Sequence, residues 1–145
     1  MRMRALMVAL TTVLAPVAAF AGTDIIAACY TDCEASTPSN PEYKACLARA
    51  ADTADAVLNQ EFKTLQDKIR AAAKVMGQSP DTRLGDFKDA QKRWIAYRDD
   101  NCTFEDSLAF GGTATGGNYS SCLCALSYER VNDFARIRAQ VLGEP

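Results

Sequence analysis

Six cysteines and no histidine constrain this 145-residue chain more than any other feature. Cys29, Cys33, Cys46, Cys102, Cys122 and Cys124 form an even set, which in an oxidising compartment reads as a disulfide framework whose connectivity the spacing alone leaves open. A metal reading is weak. With no imidazole, and with neither Cys29/Cys33 nor Cys122/Cys124 in the C-x-x-C spacing of a zinc site, neither metal nor cofactor is expected.

The N-terminus says where such a framework would form. Arg2 and Arg4 precede an almost uncharged apolar run from Ala5 to Phe20, closing on Ala19-Phe20-Ala21, the basic head, apolar segment and small-x-small site of a secretory signal. The expected division is a signal peptide over 1–21 and one domain over 22–145, periplasmic or secreted. Pro16 interrupts the run and Asp24 follows it, so it falls short of the roughly 20 apolar residues of a membrane span. A rival reading takes Ile26-Ala27-Ala28-Cys29 as a lipoprotein box with lipid on Cys29; Asp24, placed before the box, argues against it.

Removing Arg2 and Arg4 leaves 14 basic residues against 18 acidic, a net charge of −4. That balance disfavours nucleic acid and anionic membranes and suits a basic protein partner. About 120 residues give a modest core, for which covalent staples help.

Periodicity predicts an all-α chain. After a short polar arm, Asn40-Pro41-Glu42 supplies a cap, a first-turn proline and a first-turn acid. Tyr43, Leu47, Ala50, Ala54, Val57, Leu58, Phe62, Leu65, Ile69, Ala72 and Met76 then recur at steps of three and four, up to Gly77. Ser79-Pro80-Asp81 restarts the pattern, with Leu84, Phe87, Gln91, Trp94 and Arg98 on one stripe; the short turn makes the two helices an antiparallel hairpin. A glycine-rich stretch within Ser107 to Ser121 is a loop, with Asn118 or Ser120 as the cap of the next helix. That third helix runs from about Tyr119 to Leu142, with Cys122, Leu126, Arg130, Phe134, Ile137 and Val141 as its inner face. The expected fold is thus a small disulfide-stapled helical bundle: a long antiparallel helical hairpin and a third helix.

Catalytic chemistry finds little purchase. The usual general base is missing, and oxidised thiols are not nucleophiles. Acid pairs such as Asp52/Asp55 and Glu105/Asp106 belong more naturally to solvated helix surface than to a glycosidase. The polar residues inside the stripes are more telling. If the first two helices face one another, Arg98 can donate to Asp55 while Asn59 and Gln91 satisfy each other beside Trp94, a buried structural network that fixes register. For binding, the leading segment is the loop of Gly111, Gly112, Thr113, Thr115, Gly116, Gly117, Asn118 and Tyr119, small and polar enough to enter a cleft.

These residues together form a recognisable pattern. Asp32-Cys33, Cys46, Asp55-x-x-Leu58-Asn59, Ala90-Gln91-x-x-Trp94-x-x-Tyr97-Arg98-Asp99-x-x-Cys102, a Gly-Gly loop and Cys122 with Ser127 and Arg130 resemble the LprI-type lysozyme inhibitor family of bacterial envelope proteins. The segment from Gln91 to Cys102 is its most specific part. The family pattern has four cysteines, so Cys29 and Cys124 are extra here, and Ser127 stands where Thr is usual. The resemblance implies a helical domain with Cys33 paired to Cys46 and Cys102 to Cys122, leaving Cys29 for Cys124. It also implies a non-enzymatic protein that binds and blocks lysozyme, a basic enzyme with two carboxylates in a cleft. The alternative is an envelope interaction module whose partner is some other protein.

Overall fold

A computed structural model of the chain describes residues 22–37 and 39–143. The expected signal segment, residues 1–21, lies outside the described residues. The described chain is all-α: α1 (Gly22–Ile26), a π-helical turn (Ala27–Thr31), α2 (Asp32–Ser36), α3 (Asn40–Val75), α4 (Asp81–Ser107) and α5 (Gly117–Val141).

The arm before α3 is helical rather than an irregular polar lead. Ile25, Cys29 and Cys33 are one helical turn apart, and all three are buried. The arm is fixed covalently at two points, Cys29–Cys124 to α5 and Cys33–Cys46 to α3, while Cys102–Cys122 joins α4 to α5. This is the pairing that the resemblance implies. Because Cys29 Sγ is bonded to Cys124 Sγ, it is not free to carry a lipid.

Helix α3 starts one residue earlier than the cap signal suggests. Ser39 is its N-cap, its hydroxyl donating to Glu42 Oε2 at 2.6 Å, and Asn40 lies inside the first turn. At the other end Gly77 takes a positive φ of 63°, and Gln78 N–H donates back to Ala73 O at 2.9 Å, a left-handed C-terminal stop that favours glycine. The 36 residues between these signals span about 54 Å at ~1.5 Å per residue.

The partner of that long helix is α5. One row of buried positions on α3 falls at Leu47, Ala51, Ala54, Leu58, Glu61 and Leu65, and one row on α5 at Gly117, Ser121, Cys124, Tyr128 and Val131. Both sets step by alternating fours and threes, the spacing of a left-handed seam between two helices. They share one register, since Ala51 and Ala54 cluster with Cys124 and Tyr128, and Leu58 and Leu65 with Val131 and Phe134. The two helices therefore run parallel. Small residues at the disulfide end, with Leu47 beside Gly117, let the backbones approach. Antiparallel α4 completes the bundle, packing more on α5 than on α3. It meets both through Phe87, whose ring lies 4.8 Å from that of Phe62 and 5.4 Å from that of Phe134.

This arrangement revises two expectations. The second helix is joined to α3 as a hairpin, but its closer companion is α5, to which Cys102 is also bonded through Cys122. The inner face of α5 is double rather than the single stripe through Cys122, Leu126, Arg130, Phe134, Ile137 and Val141. Cys122 and Phe134 do turn inward, but so do Cys124, Tyr128 and Val131, while Val141 in the last turn is exposed. A helix wedged between two others must bury two stripes.

Glu61 of α3 is a charge in the middle of the apolar seam. Its carboxylate accepts from Arg138 Nη1 of α5, and both side chains are nearly buried. Replacing one member strands the other in a poorly solvated site. Glu61→Ala is expected to lower unfolding free energy by about 3 kcal/mol, as measured by denaturant titration.

Candidate functional site

Two regions gather the residues singled out by the sequence. The first is a polar and aromatic node at mid-bundle, where α3, α4 and α5 meet. Arg98 Nη1 donates to Asp55 Oδ1 at 2.9 Å and to Ser127 Oγ at 3.1 Å, and Arg98 Nε donates to Asp99 Oδ1 at 3.0 Å. One guanidinium thus holds all three helices, presenting its donors as a fork. Burial opposes its charge, but the hydrogen bonds to Asp55 and Asp99 outweigh that cost and raise the Arg98 pKa above its ordinary range.

The other expected pair does not form. Asn59 Nδ2 donates to Asp55 Oδ2 at 2.9 Å along its own helix, and Gln91 Oε1 instead accepts from Arg130 Nε of α5 at 3.1 Å. The cause is the placement of α5 beside α4, which brings Arg130 to Gln91 and leaves Asn59 exposed. Nor is the network wholly buried: Asp55 retains 48% of its side-chain exposure. Trp94 is at the centre of the node. The guanidinium carbons of Arg98 and Arg130 lie 5.4 Å and 5.5 Å from its ring centroid, within cation–π range, and Arg130 also lies 5.0 Å from the Phe134 ring centroid. No buried side-chain nitrogen or oxygen among the described residues lacks a partner.

The second region is the loop from Leu108 to Gly116. It is a run of tight turns, with Gly112 N–H donating to Ala109 O at 2.8 Å and Thr115 N–H to Gly112 O at 3.1 Å. Asp106 fastens it. Its Oδ1 accepts from the backbone N–H of Gly116 at 2.6 Å and of Tyr119 at 3.2 Å, supplying the N-terminal cap of α5 from the end of α4. Asn118 and Ser120 do not cap that helix; they lie within its first turn, and Gly116, at φ 84°, occupies the cap position. Asn40 of α3 adds a bond from across the bundle, Nδ2 to Thr113 O at 3.2 Å.

Of the residues expected to contact a partner, Gly111, Gly112, Thr113, Thr115 and Gly116 are exposed, while Asn118 and Tyr119 are half-buried. Gly117 is buried and does not qualify: a Cβ there would meet Leu47 at 3.4 Å. Beside the loop is a concavity of about 280 Å³, bordered by Tyr30, Tyr43, Lys44 and Asn118. Burial raises the Tyr43 phenol pKa, with Glu34 and Tyr30 adding to the shift.

Three of the four carboxylates considered for catalysis are engaged otherwise, Asp55 by Arg98, Glu105 by Asn101 and Asp106 by the cap of α5, while Asp52 is exposed on α3. No helix among the described residues is long and apolar enough to cross a membrane.

A disulfide-stapled α-helical protein in which Asp55, Gln91, Trp94, Arg98, Ser127 and Arg130 lock three helices, and a pinned loop projects at one end, is the class that this geometry defines. Within that class the chain belongs to the LprI lysozyme inhibitor family, whose model matches residues 31–134. It is also similar to an uncharacterized protein of Rhizobium meliloti (strain 1021), at 28% identity over 109 residues, covering 73% of this chain and 78% of that protein. No solved structure matches it.

Both regions can be probed by single substitutions. Arg98→Ala removes the link among α3, α4 and α5 and should lower unfolding free energy by about 2 kcal/mol, with a double-mutant cycle against Asp55→Ala showing coupling. Asp106→Ala should cost about 1 kcal/mol and speed amide exchange at Gly116 and Tyr119 selectively.

Proposed function

We propose that this protein acts outside the cytoplasm as a non-catalytic inhibitor of lysozyme, binding the enzyme and blocking its cleft. The carrying observation is family membership over most of the chain, residues 31–134. The cysteines support the location, since three disulfides suit an oxidising compartment. Whether the chain stays in the periplasm or is secreted, the reading takes residues 1–21 as the export signal and 22–145 as the working domain.

The loop from Gly111 to Tyr119 is our leading element for entering the cleft, through its exposed part up to Gly116. Cys102 and Cys122 bracket it, and Asp106 and Asn40 hold its turns, so little ordering remains when a partner arrives. The net charge of −4 on residues 22–145 favours encounter with a basic enzyme.

Purified protein in micromolar excess over a basic animal-type lysozyme should slow turnover of a cell-wall substrate at low ionic strength, with the effect weakening as salt is raised. Unchanged turnover at low salt would reject the proposal and favour an envelope interaction module with a different partner.

A further inference from the structure

The residues of α4 that face away from the core are unusual for a solvated surface. Tyr97, Phe104 and Leu108 are spaced seven and four apart, which puts them on one face of the helix, and each keeps more than half of its exposure. Phe110 continues this edge into the loop at 91% exposure. Its backbone has a φ of 49°, a left-handed conformation that a bulky side chain adopts at a steric cost. A strained backbone that turns a phenylalanine into water gains nothing from core packing. Isolated surface apolar residues are ordinary; four large ones on one edge are not.

Arg93 lies one turn before Tyr97 on the same face, and beyond it the charges along this edge are acidic. Between Arg98 and Arg130 the chain has no Lys or Arg, yet carries Asp99, Asp100, Glu105, Asp106 and Glu129. Asp99 and Asp106 are engaged by Arg98 and by the start of α5. Asp100 and Glu105 are exposed, and Asp100 falls between Tyr97 and Phe104 on the same helix face. Cys102, one turn inward, ties this stretch of α4 to α5, so the edge and the loop are parts of one rigid end of the bundle.

We propose that Tyr97, Phe104, Leu108 and Phe110, with Asp100 and Glu105, form a docking surface for a basic protein: the aromatic residues anchor it and the acids select its charge. This rests on the lysozyme reading and deepens it, since it places the main affinity on the edge beside the loop rather than on the loop's backbone. Exposed aromatic anchors with a charged rim are the usual arrangement of a binding surface.

The test uses the full mature chain and a basic animal-type lysozyme, with binding followed by calorimetry and inhibition by turnover. The variants are Phe104→Ser with Phe110→Ser, Phe110→Asp alone, and Asp100→Asn with Glu105→Gln. All substituted side chains are exposed, so circular dichroism and melting should match the parent. The aromatic variants are expected to weaken binding at least tenfold, and the amide pair to flatten its salt dependence. If the parent binds and folded aromatic variants bind equally well, the docking surface is wrong and the lysozyme reading stands. If the parent neither binds nor inhibits, both fall. A parent dimer that the aromatic variants dissociate would overturn the proposal by assigning the edge to a second copy.

Discussion

A 36-residue helix in a chain of this size carries an apolar stripe longer than the rest of the molecule can cover casually, and covering it shapes everything else. The stripe on α3 is matched by α5, running parallel with its buried residues in the same three–four rhythm. Because α5 is wedged between α3 and α4, it must bury two faces, whereas α4 buries only one narrow stripe. The helical arm closes the disulfide end, adding Ile25 and Cys29 to a cluster of mostly small residues.

Three kinds of link then hold α4 to the α3–α5 pair at successive heights. At the turn end the rings of Phe62, Phe87 and Phe134 meet. At mid-height Trp94 packs with Arg98 and Arg130, whose guanidinium groups reach Asp55, Ser127 and Gln91. At the loop end the link is covalent, between Cys102 and Cys122. Apolar contact alone would tolerate sliding along the seam. Directional bonds at mid-height and a disulfide above them restrict the register.

The consequence is a bundle with unequal ends. One carries the short α3–α4 turn. The other carries the arm, all three disulfides, the pinned loop and the exposed aromatic edge, and the stretch from Asp99 to Glu129 that holds the loop has no cation. Rigidity and acidic charge are therefore concentrated at the end that carries the loop and the aromatic edge.

The sequence by itself determined the all-α class, the approximate helix limits and the inward stripe of α4. These follow from period, capping residues and turn residues, which act within a few positions of each other. Tertiary structure alone decided that α3 pairs with α5, that Glu61 meets Arg138, that Gln91 accepts from Arg130 and that Asp106 caps a helix beyond the loop. Those partners are 77, 39 and 10 to 13 residues apart. Local periodicity tells which face of a helix is buried but not which of several similar faces will cover it. The choice depends on small residues permitting close approach, on disulfides fixing the ends, and on every buried polar group finding a partner at once.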